Sequence, residues 1–175
     1  FRKSLKKNKI NENFIQLINI RKRNVVDCML TRMNKLIDVI IPRGGKSLVK
    51  KVQNLSKIPI IGHLEGICHT YIDKDANLSM AKKITLNAKL RNTAICGATE
   101  TILIHQNLLK KFCNPLISNL EENGCKVIGD IKVRKSYKKK LKIAKESDWR
   151  KEYLSSTVSV KTVKSIDEAI NHINK

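Results

Sequence analysis

The sequence predicts an α/β protein in which strands and helices alternate along the chain. Its 175 residues are 41% hydrophobic, enough to bury one ordinary core or to form parts of two domains. Two continuous apolar runs, at 37–42 and 58–61, have the composition of strands buried on both faces of a parallel sheet. Because helical patterns alternate with these runs, a layered α/β architecture is expected.

The first part of the chain is expected to form short helices and strands in turn. Residues 22–36 carry apolar side chains at spacings of three and four, which predicts a single helical face. Cys28 lies beside that face and is expected to be a small core residue. The expected elements are helices at 5–9, 22–36 and 48–55, strands at 14–18, 37–42, 58–61 and 67–72, and a loop at 62–66.

The second part of the chain is expected to continue the alternation. Residues 106–123 form an amphipathic pattern that Gly124 ends as a C-cap, and Ser165 with Glu168 predicts a capping box. The most basic stretch, 131–151, is expected to be a solvated connection that the single tryptophan, Trp149, anchors. The other expected elements are a helix at 78–91, strands at 99–105, 125–129 and 157–163, and a helix from 165.

Charge and composition limit the classes of partner. The net charge of +21 raises nucleic acid as a partner, but the lysines are spread along the chain and aromatic residues make up only 4%. A solvated basic surface is therefore favoured over nucleic-acid binding. No apolar run reaches the roughly 18 residues of a membrane span, and no secretory signal is visible. A cytoplasmic protein without a membrane partner is expected.

The five cysteines are expected to be reduced thiols. Their number is odd, they contain no Cys-x-x-Cys pair, and their spacing to the four histidines does not fit a metal site. Both ends of the chain are expected to be cuts or truncations, because Phe1 stands where a Met would begin and Lys175 ends a helical pattern without a stop signal.

Cys96 is the candidate nucleophile. A thiolate is well suited to attack an acyl group and to hold it as a thioester, because it is strongly nucleophilic even when partly ionised. Gly97 and Ala98 leave room beside the sulfur, and a polar, basic stretch precedes it.

A second candidate site is the turn Arg43-Gly44-Gly45-Lys46-Ser47, between a predicted strand and a predicted helix. A strand, a glycine turn and a helix start can receive a phosphate on exposed N–H groups at the positive end of the helix dipole. Many such turns carry Gly-Gly for backbone reasons only, so that alternative stays open.

Several longer stretches together are more specific than any single motif. They are IDVIIPRGGKSLV (37–49), IPIIGHLEGICHTYIDKDANLSMA (58–81), CGATETILIH (96–105), ESDWRKEYL (146–154) and SVKTVKSIDEAINHINK (159–175). In this order they resemble the gamma-glutamyl phosphate reductases, the glutamate-5-semialdehyde dehydrogenases of proline biosynthesis within the aldehyde dehydrogenase superfamily.

The resemblance implies an aldehyde dehydrogenase-like fold. Residues 1–80 would be the C-terminal part of a Rossmann-like NADP-binding domain, and residues 81–175 the N-terminal part of the catalytic domain. NADPH would reduce L-glutamyl 5-phosphate to glutamate 5-semialdehyde through a thioester on Cys96, and residues 43–47 would lie where the superfamily places its cofactor loop. A homo-oligomer is an expectation for the full-length enzyme only.

The resemblance also bears on polar residues near these motifs. By its spacing, His63 takes the position where hydrolytic aldehyde dehydrogenases place a glutamate base, which a phosphate reductase does not need. From residue type alone, a histidine such as His63 is more often structural than catalytic. Asn87, Lys89 and Glu100 are candidates for contacting the substrate or supporting the site.

The chain departs from the family pattern next to the nucleophile. Gly97 replaces the usual Asn, and Asn92-Thr93 replaces the usual Arg-Pro. An inactive remnant of the enzyme is therefore the second hypothesis, and a basic nucleic-acid-binding protein is the third.

Overall fold

The computed structural model describes residues 1–63 and 65–175 and divides the chain into two compact units, Phe1–Leu64 and Glu65–Lys175. Residue 64, in the loop expected at 62–66, lies outside the described residues. The resemblance in sequence implies a boundary at residue 80, between a cofactor domain and a catalytic domain. The assignment of residues 1–80 to a cofactor domain stays a prediction.

The first unit is mainly helical and has a small core. Its regular elements are α1 (Arg2–Lys7), a 3₁₀ helix (Glu12–Phe14), α2 (Asn24–Arg32) and α3 (Lys46–Leu55). Helices α2 and α3 pack together, and the buried apolar side chains are Leu30, Val49, Val52 and Ile58.

Four predictions for this unit are wrong. The expected strand at 14–18 begins in the 3₁₀ helix, and residues 16–18 have no regular structure in the described chain. The expected strands at 37–42 and 58–61 meet in a single parallel bridge between Ile40 and Ile60. A strand buried on both faces needs neighbours that this unit does not provide among its described residues, and Ile41 and Ile61 are exposed. Cys28 is exposed and is not a core residue.

The second unit contains a parallel five-stranded sheet, which confirms the predicted α/β class. The strands are β1 (Cys68–Ile72), β2 (Thr99–His105), β3 (Lys126–Gly129), β4 (Lys142–Ile143) and β5 (Thr157–Val163). Their order in the sheet is β1-β2-β5-β3-β4. Strand β2, predicted at 99–105, lies between two parallel partners and is buried along its whole length, including its polar residues Thr99, Glu100, Thr101 and His105.

Helices cover both faces of this sheet. They are α4 (Leu78–Leu90), α5 (Gln106–Glu122), α6 (Ile131–Ser136) and α7 (Ile166–Ile173). On one face Ile102 and Ile104 join side chains from α4, α5 and α6 in the main core, whereas Leu103 packs on the other face with Ala169 of α7. This division follows from the alternation of side chains along a strand.

The basic stretch 131–151 is more ordered than the sequence predicted. It contains α6, β4 and a 3₁₀ helix at Glu146–Arg150, and the side chains of Val133, Tyr137, Leu141 and Trp149 are buried. The anchoring role expected for Trp149 is confirmed, but the stretch is part of the sheet layer. In the two described ranges, the helices all fall short of the length and apolar character that crossing a bilayer requires.

Candidate active site

Cys96 lies at the tip of an exposed loop between the end of α4 and the start of β2. A turn in which the Ala98 N–H donates to the Ile95 carbonyl at 3.1 Å holds Cys96 and Gly97 at its two central positions. Cys96 is exposed, and a Cβ built on Gly97 would meet no described atom within 4 Å. The thiol is therefore open to a ligand from solvent.

The two ends of this loop are joined by a buried ion pair. Lys89, near the end of α4, donates from Nζ to Oε2 of Glu100, near the start of β2, at 2.6 Å. The side chains are 0% and 1% exposed. The other carboxylate oxygen of Glu100 accepts the N–H of Leu154 at 3.1 Å. Glu100 therefore ties the loop of Cys96 to the segment that precedes β5.

Cys68 contacts the backbone of Cys96. It is the first residue of β1, pairs with Thr99 of β2, and donates from Sγ to the carbonyl oxygen of Cys96 at 3.2 Å. Gly66 lies beside the same carbonyl, since a Cβ built there would be 3.7 Å from the Cys96 oxygen. The site thus lies where β1 and β2 begin, at the amino edge of the parallel sheet.

The other thiols of this unit are held in the protonated form. Burial raises the pKa of the Cys113 and Cys125 thiols to about 11, and both belong to the main core. Burial also raises the pKa of Cys68, and the negative charges of Cys96, Glu100 and Glu152 add to this effect. Cys96 is therefore the exposed thiol among the described cysteines of the 65–175 unit.

The remaining predicted site residues lie at several places. Residues Arg43 to Ser47 are exposed, and Gly45 is the N-cap of α3, a helix without a side-chain cap in the described chain. A Cβ built on Gly44 would lie 2.7 Å from Leu48 Cδ2. His63 is exposed in the first unit, and Asn87 is exposed on α4. The structure thus joins Cys96, Lys89 and Glu100 in one unit and places 43–47 in the other.

Sequence reasoning did not select Cys68 for the site. Its closeness to Cys96 results from the parallel pairing of β1 and β2, which no local pattern encodes. The signal available in the sequence was that Cys68 starts an apolar strand and follows a glycine by two residues. Across residues 1–63 and 65–175, no cluster of three or more His, Cys, Asp or Glu side chains is placed to hold a metal ion.

Comparison with known proteins finds similar sequences. No protein-family model matches the chain. Over 173 residues, or 99% of the chain, it is 47% identical to gamma-glutamyl phosphate reductase of Bartonella quintana. Over nearly its whole length, the chain is therefore similar to a gamma-glutamyl phosphate reductase. It spans about two fifths of the length of its curated relatives, 42% in the case of the B. quintana protein.

Solved structures agree with this similarity. Gamma-glutamyl phosphate reductase of Thermotoga maritima is similar over 99% of the chain and 41% of its own length, with a TM-score of 0.88 and 32% sequence identity. An acetylating aldehyde dehydrogenase of Geobacillus thermoglucosidasius has a TM-score of 0.67 at 18% identity, over 99% of the chain and 45% of its own length. The aldehyde dehydrogenase-like fold predicted from the sequence is thereby confirmed for this chain.

Proposed function

We propose that this chain is the nucleophile-bearing part of a gamma-glutamyl phosphate reductase that reduces L-glutamyl 5-phosphate to glutamate 5-semialdehyde in proline biosynthesis. The observation that carries the proposal is an exposed thiol, Cys96, at the tip of a loop whose ends are tied by a buried ion pair. This arrangement occurs in a chain 47% identical to a named member of the family.

The chemistry begins with attack on an acyl phosphate. The Cys96 thiolate adds to the acyl carbon, the carbon–oxygen bond to phosphate breaks, and inorganic phosphate leaves as the thioester forms. Phosphate is a better leaving group than a thiolate at this centre, so the intermediate collapses toward the thioester. Gly97 leaves the space that an approaching phosphoryl group needs.

The buried ion pair has a supporting role in this proposal. Lys89 and Glu100 are too deeply buried to contact a substrate above Cys96. They fix the two points at which the loop leaves α4 and enters β2, and so limit the positions that the sulfur can take. Fixed positioning of a nucleophile lowers the entropic part of the reaction barrier. Of the candidates named from sequence in the second unit, these two support the site and Asn87 is the exposed one that a substrate could reach.

NADPH would supply the hydride that converts the thioester to the aldehyde. The turn Arg43 to Ser47 fits the phosphate groups of such a cofactor in three respects. It is exposed, it begins a ten-residue helix, and it carries two glycines next to a cationic side chain. Backbone N–H groups at a helix start and a nearby Arg both favour phosphate.

Turnover in the oxidative direction tests the whole proposal. The chain is mixed with glutamate 5-semialdehyde, inorganic phosphate and NADP, and NADPH formation is followed by its fluorescence. We expect activity in the wild type and in Cys28→Ser, whose exposed thiol lies in the other unit, and none in Cys96→Ser. Equal rates for wild type and Cys96→Ser would exclude the enzyme for this chain and leave the inactive remnant.

A further inference from the structure

The side chain of Cys68 lies against the backbone of Cys96 in the second unit. The Sγ of Cys68 is 3.2 Å from the carbonyl oxygen of Cys96. Standard covalent geometry then puts the two Cα atoms within about 8 Å of each other. Disulfides span Cα separations of about 4.4–6.8 Å, so a separation near the upper bound of about 8 Å requires the backbone of one residue to move before the sulfurs can join.

The tip of the Cys96 loop can make that shift. Residues 94–97 are exposed, and Gly97 has no described neighbour that a Cβ would meet within 4 Å. The ion pair of Lys89 with Glu100 fixes the ends of the loop and leaves its tip unrestrained by burial. Cys68 is half-buried and lies outside the two described core clusters, in contrast to Cys113 and Cys125.

We propose that Cys68 is a resolving thiol for Cys96, so that oxidation by a hydroperoxide gives an internal Cys68–Cys96 disulfide. The exposed Cys96 thiolate attacks the O–O bond of the peroxide, and its sulfur is oxidised to a sulfenic acid while the peroxide is reduced to water or an alcohol. The sulfur of Cys68 then attacks the Cys96 sulfur. An S–S bond forms, the S–O bond breaks, and the hydroxyl leaves as water with the proton of Cys68.

The internal disulfide has two consequences. It prevents further oxidation of the Cys96 sulfur, and a dithiol reductant can reduce it back to two thiols. A sulfinic acid on Cys96 is not reduced by such reagents. It also occupies the sulfur that the acyl phosphate would need, so the oxidised chain cannot form the thioester. This second consequence rests on the proposed function, but formation of the disulfide does not.

Tryptic peptide mapping tests the pair directly. Cleavage after lysine and arginine separates Cys68, in peptide 58–74, from Cys96, in peptide 92–110. The full chain is reduced, desalted, treated with one equivalent of hydrogen peroxide, alkylated and digested without reductant. We expect a linked pair of these peptides, lighter than their sum by two hydrogen atoms. The same pair should form in Cys28→Ser, which removes the exposed thiol of the other unit.

Cys68→Ser is the decisive variant. The linked pair should be lost. With dimedone present, Cys96 should be trapped as the sulfenic acid adduct. In a separate sample with excess peroxide and no dimedone, Cys96 should reach the sulfinic acid faster than in the wild type. If wild type and Cys68→Ser give the same rate of sulfinic acid formation and no linked pair, the proposal is wrong. A linked pair that joins heavy-isotope and light-isotope chains in a mixed sample would also overturn it, because the bond would then be between molecules. These readouts need no reductase activity, so they separate this proposal from the one above.

Discussion

Breaking the buried ion pair should destabilise the second unit strongly. Lys89→Met keeps the length of the side chain but leaves the Glu100 carboxylate buried with only the N–H of Leu154 among its described partners. Removal of one member of a buried pair costs about 3–5 kcal/mol, because the remaining charge is neither solvated nor paired. With a urea m-value of about 2 kcal/mol/M, the midpoint should fall by about 2 M.

Urea unfolding followed by Trp149 fluorescence measures this effect. Trp149 is the single tryptophan and is buried in the same unit as the pair, so its signal reports that unit. Lys83→Met, on the exposed side of the same helix, is the matched control and should stay within about 0.5 kcal/mol of the wild type.

A double variant tests whether the two charges act as a pair. Gln at position 100 can still accept the Leu154 N–H, so Lys89→Met/Glu100→Gln should recover about 1–3 kcal/mol of the loss in Lys89→Met. A loss below about 1 kcal/mol in Lys89→Met, with strict additivity in the double variant, would refute a buried, coupled pair.

Three further predictions concern the same unit. Burial and a neighbouring lysine lower the pKa of His172 to about 4, and burial also lowers the pKa of His69, whose ring centroid lies 5.4 Å from that of His172. The contribution of His172 to the free energy of unfolding should be constant above about pH 6.5 and fall by about 1–3 kcal/mol as the pH drops to about 4. In urea titrations, His172→Asn should reduce this slope. With pKa values of about 11, Cys113 and Cys125 should react with a chromogenic disulfide only after denaturation, whereas fast reaction in the native chain would contradict their burial. Asp130 caps α6 and accepts the N–H of Thr162 at 2.7 Å. Asp130→Ala should therefore lower the free energy of unfolding by about 1–3 kcal/mol in the same assay, and an unchanged free energy would exclude this bridging role.

The elements that the sequence predicted well are those in which local pattern and burial agree. Strand β2, predicted at 99–105, has an apolar centre from Ile102 to Ile104 and is buried by two neighbouring strands. Ser165 accepts the N–H of Glu168 at 3.2 Å, as the capping pattern requires. Gly124 has a φ of +79°, which explains why a glycine follows α5.

The elements that were predicted wrongly depend on distant partners, or have an apolar pattern that charged residues obscure. In 131–151 the many lysines hide the apolar positions of Val133, Leu141 and Trp149, which the sheet layer buries. The run 37–42 has the composition of a central strand. In the described first unit, however, it forms a single parallel bridge, between Ile40 and Ile60. Its apolar composition alone could not reveal how many neighbours it has.

In the candidate site, too, some residues could be identified from the sequence, whereas their contacts depend on the fold. Cys96 could be chosen from its chemistry and from the family motif, and the structure places it on an exposed loop tip. The partner of Lys89 could not be chosen, because Glu100 lies eleven residues away across that loop. The contact of Cys68 with Cys96 spans 28 residues and depends on how β1 pairs with β2.

Capture of an acyl group on Cys96 tests the central claim most directly, because it needs neither NADPH nor the part of the family's length that this chain does not span. The chain is mixed with an acyl phosphate and analysed by peptide mapping with and without hydroxylamine, which cleaves thioesters and spares amides on lysine. We predict a hydroxylamine-labile acyl group on peptide 92–110 in the wild type and in Cys28→Ser, and its absence in Cys96→Ser. Acylation of Cys28 at the same rate as Cys96, or no labile acyl group on peptide 92–110, would contradict the assignment of Cys96 as the nucleophile.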